Sequence, residues 1–145
     1  MPEDNATIAR RWYQEVWDLG HIEAADDMAS PDCKLYGHAP GNAPVGLQEF
    51  KEFAHSIRAA FPDVKIIVEQ TVSEGDRCVV RWRSEMTHMG VFMGAAPTRQ
   101  RVTVHGMSLI RFENGKIVEG WDNWDQLGLL TQIGARPVVN LAKAC

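Results

Sequence analysis

Residues 101–124 read RVTVHGMSLIRFENGKIVEGWDNW, and they decide the fold class. Asn114-Gly115 is the strongest hairpin signal in the chain, because both central positions of a tight turn need a positive φ that Asn and Gly tolerate. Apolar and polar residues alternate on either side, the period of a half-buried strand. The expected strands are Arg101 to Phe112 and Lys116 to Trp124. With a two-residue loop Glu113 pairs with Lys116, so Met107 faces Asp122 and His105 faces Trp124. His105, Met107 and Leu109 then share a face with Asp122 and Trp124. Val104, Ser108, Ile110, Glu119, Trp121 and Asn123 fall on the other.

Towards the N-terminus the same period continues. Val64, Ile66 and Val68 form one strand, and Cys78 to His88 a second, across the turn Glu74-Gly75-Asp76. A three-residue turn sets Ile66 and Val68 opposite Ser84 and Trp82. Met89 to Gln100, rich in Gly and Pro, joins this hairpin to the last one. Before Val64 the period is helical. Leu47, Phe50, Ala54 and Ile57 lie along one helix that ends at Phe61-Pro62. Ile8, Trp12, Val16 and Leu19 lie along another, capped by Asp4 and Asn5 and closed by Gly20. A short helix is expected from His21 to Met28, before Ser30-Pro31-Asp32. Cys33 to Tyr36 reads as a short strand, Gly37 to Gly46 as a loop, and the chain after Gly134 as extended or loose. Helices first and strands afterwards mean α+β. The expected architecture is a curved antiparallel sheet of four to six strands, with helices packed on its concave face.

The 145 residues suit one domain, 1–145. With 45% hydrophobic and 23% charged residues the chain can build a core without staples. The net charge of −4 and the scattered basic residues argue against a nucleic-acid or anionic-membrane partner. Three cysteines at no metal-like spacing argue against a disulfide framework or a zinc site. The polar start does not read as a signal peptide, and no run approaches the ~20 apolar residues of a membrane span. The expected compartment is the cytoplasm. There is no Gly-rich phosphate loop, nucleophile elbow or nucleotide fingerprint, so no cofactor is expected.

Asp122 is the first candidate for chemistry. A carboxyl set among Trp124, Met107 and Leu109 is poorly solvated, an environment that tunes carboxyls for general acid/base work. His105, its diagonal neighbour in this register, would carry or orient a proton. The alternative for both is structural: a capping carboxylate and a satisfied strand histidine. His38 and His88 sit where pocket rims form, although loop histidines are usually solvated. No spacing signals a metal site from His38, His88 and His105. The chain holds five tryptophans. Trp12, Trp82 and Trp124 would lie near an apolar pocket, with core filling as the alternative. Trp121, on the opposite sheet face, would meet a second copy of the chain in a homodimer.

Four stretches together resemble the SnoaL-like polyketide cyclases. Thr87 to Gly94 with Pro97-Thr98 and Arg101-Val102 resembles that family's connecting segment, and Arg111 to Leu130 its final hairpin and C-terminal turn. Leu35 to Gly46 resembles its His-Pro-Gly loop, and Phe61 to Val64 its helix-to-strand junction. The resemblance implies the cone-shaped fold of nuclear transport factor two and ketosteroid isomerase, with a deep apolar pocket. It implies intramolecular aldol condensation of aromatic polyketide methyl esters without metal or cofactor. The family's acid/base aspartate aligns with Asp122. Its partner polar residues lie on the preceding strand, where His105 takes one position and Met107 stands at another. The expected ligand is a small apolar or aromatic substrate. A ligand-binding or dimerising module on the same fold, or a related isomerase or hydrolase, is the alternative.

Overall fold

The computed structural model describes residues 3–135. Asp4 caps helix α1 (Asn5–Arg11), its carboxylate accepting from the Thr7 amide at 2.7 Å. The helix then widens into a π-helical segment, Trp12–Asp18, in which the Leu19 amide reaches the Gln14 carbonyl at 2.9 Å. About 4.4 residues now make a turn instead of 3.6, since the hydrogen bonds span five residues. This rotates Tyr13 and Trp17 inward beside Trp12 and Val16, and leaves Leu19, expected in the core stripe, 54% exposed. Gly20, at φ +72, ends the segment. The helix expected at 21–28 is a 3-10 turn, Ile22–Ala24, followed by α2 (Ala25–Met28). Strand β1 (Ala29–Tyr36) runs through Ser30-Pro31-Asp32, where its register shifts. A proline is tolerated there because β1 is an edge strand. Helix α3 (Leu47–Ala60) matches the periodic stretch expected for it.

Strands β2 (Lys65–Glu74), β3 (Arg77–Thr87), β4 (Arg101–Glu113) and β5 (Lys116–Trp124) complete one five-stranded sheet in the order β1-β5-β4-β3-β2. The α+β class with a curved sheet holds, but the pairing is mixed: β1 runs parallel to β5. No hairpin joins these two strands. They meet at the end of a long path through α3 and the other strands, so no tight turn imposes an antiparallel arrangement. The helices cover the face that carries Cys78, Val80, Val102, Val104, Ile110 and Phe112, all buried. Helix α4 (Gln126–Gln132), capped by Asp125, docks on β4 through Gln132, whose amide bonds both the N–H and the C=O of Thr103. Among the described residues no helix is long and apolar enough to cross a membrane. Apart from Ala135, the stretch after Gly134 lies outside the described residues, and Cys145 lies there with it.

The β4–β5 register departs from expectation. It begins as counted, with Glu113 opposite Lys116 and Phe112 opposite Ile117, but Arg111 then pairs with Glu119. Val118 is the extra residue of a β-bulge. The bulge keeps Ile117 buried and sets the Glu119 carboxylate against the Arg111 guanidinium at 2.6 Å. A one-residue slip exchanges the faces of everything beyond it. Ser108 therefore faces Asp122, and Gly106 faces Trp124. Val104, Ser108 and Ile110 share the inner face with Asp122, while His105 and Met107 are exposed on the outer face with Trp121 and Asn123.

Candidate active site

The site is built where the chain leaves β1 and meets the end of β5. Gly37 adopts φ +102, and a Cβ there would collide with the Asp122 carbonyl oxygen. Only glycine lets the loop lie this close to β5. The Gly37 carbonyl accepts from the Trp124 indole at 3.2 Å, tying the loop down. The next residue, His38, is thereby delivered into the interior. Its side chain is 4% exposed and packs edge-on against Phe50 and tilted against Phe53 of α3, at centroid distances of 5.3 and 4.8 Å. His38 Nε2 lies 2.8 Å from Asp122 Oδ2. A carboxylate oxygen at that distance accepts from the His38 Nε2–H. His38 Nδ1 is buried without a partner among the described residues.

Asp122 opens onto an apolar pocket, about 550 Å³ of space with its mouth included. Trp17, Ile57, Val64, Ile66, Met86 and Val104 supply most of the wall, with Trp82 and Trp124 over the sheet. Besides the indoles, its polar side chains are Tyr13, His38, Ser84 and Asp122, and Ser108 stands outside the lining. Ser108, opposite Asp122, is buried and accepts from the Trp82 indole N–H at 3.0 Å. Gly106 makes that bond feasible, since a Cβ there would collide with the Trp82 ring. Tyr13, from the π-helical segment, also lines the pocket. Burial holds its phenol well above the ordinary value, the charge of Asp122 adds to this, and the neighbouring Ser108 hydroxyl pulls the other way. Tyr13 thus stays a proton donor across the neutral range.

The expected site residues divide accordingly. Asp122, His38, Trp82 and Trp124 come together around one pocket. His105 and Met107 do not: they lie on the outer face of β4, the bulge at Val118 puts Asp122 on the inner face, and Met107 is 51% exposed. Trp12 is buried against Phe50, with ring centroids 4.9 Å apart, and stays outside the pocket lining. His88 is buried elsewhere, its Nδ1 accepting from the Thr98 amide at 3.2 Å and its ring packed on Phe61. His38, His88 and His105 are thus dispersed rather than convergent. Tyr13, Ser84 and Ser108 escaped the sequence reading. Tyr13 stands four residues before Trp17, and that spacing is its only signal. The serines carried none until the strand faces were known.

The sequence signature of the SnoaL-like polyketide cyclases matches residues 7–133. The chain belongs to the SnoaL-like polyketide cyclase family. Solved structures agree with that membership. AclR of Streptomyces galilaeus, a candidate hydroxylase, is 30% identical, with a TM-score of 0.81 over 91% of this chain and 96% of its own. IdmH of Streptomyces antibioticus, a candidate polyketide cyclase, is 26% identical, with a TM-score of 0.81 over 91% and 99%. A candidate SnoaL-like polyketide cyclase from a Jannaschia species is 27% identical, with a TM-score of 0.82 over 92% and 93%. No curated protein matches the chain. In this SnoaL-like chain the polar neighbour of Asp122 comes from the loop after β1, as His38, and not from His105 on β4.

Proposed function

We propose that the chain closes a ring in an aromatic, polyketide-like ester by cofactor-free intramolecular aldol condensation. The supporting observation is the His38–Asp122 pair, which sits beside a proton-donating Tyr13 at one end of an otherwise apolar pocket. His38 holds Oδ2, leaving Oδ1 of Asp122 to take a proton from a carbon next to a substrate carbonyl. The C–H electron pair moves into the carbonyl, and the resulting enolate oxygen accepts from the Tyr13 hydroxyl. The enolate carbon attacks a second carbonyl carbon of the same molecule. A C–C bond forms, the second carbonyl becomes an alkoxide, and the proton on Asp122 passes to it. Substrate and product contain the same atoms, so no oxidant or reductant enters.

The test is Asp122→Asn, which keeps size and hydrogen bonding but cannot take up a proton. Turnover of an aromatic polyketide methyl ester, followed by ring-closure absorbance, should fall about 10²–10⁴-fold with little change in the thermal midpoint. Near-normal turnover would remove Asp122 as the base. A large loss of stability would make it a fastener instead. A second reading rests on the 30% identity to AclR, a candidate hydroxylase. The same enolate carbon would then add dioxygen, a C–O bond forming as the outer oxygen takes the proton held by Asp122, and mass spectrometry would find a hydroperoxide two oxygens heavier than the substrate instead of an isomer.

We also propose a homodimer through the outer sheet face. Trp121 stacks on Tyr36 there, with centroids 5.6 Å apart and rings 5° from parallel, and the exposed Met107 shares that face.

A further inference from the structure

Two buried serines face the interior, and they differ in one respect. Ser108 has the Trp82 indole as a partner. Ser84, in β3, is 4% exposed; none of the side-chain hydrogen bonds among the described residues ends on its hydroxyl, which is not fully enclosed either. It lines the pocket between Ile66 and Val104, which flank it on the neighbouring strands. Met86 and Trp82, two residues away on either side, complete an apolar surround. A pocket-lining hydroxyl in such an apolar wall is a lone polar handle, and a ligand oxygen that meets it gains a hydrogen bond in a poorly solvated place.

The position of Ser84 gives the ligand a length. Asp122 lies opposite Ser108 on β4, and Ser84 lies opposite Val104 on the same strand. The two rows are therefore roughly 14 Å apart along β4 and roughly 10 Å apart across the strands, before side chains reach in from both ends. A fused-ring ligand with its enolisable carbon at Asp122 has its far edge near Ser84. We infer that Ser84 reads an oxygen substituent, hydroxyl or carbonyl, on the end of the aromatic substrate opposite the reacting carbon. This rests on the reading of the pocket as an aromatic-ester site. It adds a specificity residue that takes no part in the chemistry.

Two probes separate the claims: methyl naphthoate, and the same ester with a hydroxyl on the ring edge farthest from the ester. Binding is followed by quenching of the pocket tryptophans. The wild-type protein should bind the hydroxylated ester about three- to tenfold more tightly, the return on one hydrogen bond inside a dry site. Ser84→Ala should bind both esters with the affinity of the wild type for the plain one. Its thermal midpoint without ligand should stay the same, since the hydroxyl ties down no other side chain among the described residues. Equal binding of the two esters by the wild type overturns the inference. So does a preference that survives in Ser84→Ala, or a lowered midpoint, which would make Ser84 a structural residue. If neither ester binds, the aromatic pocket and the role of Ser84 fall together. If Ser84 behaves as expected but Asp122→Asn turns over normally, only the aldol reading falls.

Discussion

The two hairpins of the sheet each carry one extra residue, with opposite results for the sequence reading. In β2–β3 the turn is tighter than counted, with Glu74 opposite Arg77, but a register shift at Glu69 restores the offset. Ile66 and Val68 therefore end opposite Ser84 and Trp82, as a three-residue turn would have placed them. In β4–β5 the tight turn is as expected, and the shift at Val118 then reverses every face beyond it. Turn type alone does not assign a strand's faces. The number of inserted residues between the turn and the site, odd or even, decides which side chains a pocket sees.

Deleting the two bulge residues puts this to the test with the largest effect. Removal of Val118 would return the end of β5 to the simple register, driving Asp122 and Trp124 outward and Trp121 inward. The expected cost is on the order of 4 kcal/mol or more in urea unfolding, because the half-buried Trp121, Asp122 and Trp124 all change sides on a strand paired on both edges. Removal of Glu69 affects one edge strand and should cost only about 1–3 kcal/mol. Comparable losses for the two deletions would mean that the β5 bulge does not set the site.

Next in size is Gly37→Ala, which attacks the same end of β5 from the loop. The new methyl meets the Asp122 carbonyl in a left-handed backbone region. A loss of about 1–3 kcal/mol is expected, with a fall in turnover as His38 is pushed away from Asp122. Unchanged turnover would free His38 from its positioning role.

The inner face also predicts a dependence on alkaline pH. Tyr13 has a raised pKa in the folded chain, so above the ordinary phenol value of about 10 the unfolded chain releases a proton that the folded one keeps. The folded state then binds more protons, and stability falls as pH rises past that value. Tyr13→Phe should flatten this decline in a series of denaturation curves. An identical slope in the variant would show that Tyr13 is not the group responsible.

The smallest effect concerns the outer face. Trp121→Arg should leave the monomer fold within about 1 kcal/mol of wild type, the usual range for surface positions. Light scattering at micromolar concentration should show the homodimer of the wild type replaced by a monomer. A monomeric wild type would remove the dimer altogether.

How legible the molecule was in its sequence follows from the same comparison. Helix α3 and both hairpins were readable because period and turn chemistry are local properties. Asp122 was readable as a candidate, but its partner was not. The signal for a bulge in Ile117-Val118-Glu119-Gly120 is weak: two adjacent β-branched residues fit either face. The π-helical segment was hidden because its residues suit an ordinary helix, and its widening appears only once Tyr13 and Trp17 are packed. The parallel pairing of β1 depended on a long-range meeting that no local pattern encodes. His38 stayed one loop histidine among several until Gly37 brought it within reach of Asp122.

The glycine at position 106 leaves a thin place in the sheet. The Trp82 indole fills it, so Trp82 and Trp124 line both the inner pocket and a groove on the outer face that also holds Arg81, His105 and Met107. At this point the partition between cavity and exterior is about one aromatic ring deep. An indole in such a window responds to both sides. Its emission should shift when a ligand fills the cavity, and again when the outer groove is covered. A Trp82-only variant of the chain would therefore act as a built-in two-channel optical gauge, reporting occupancy within and contact without.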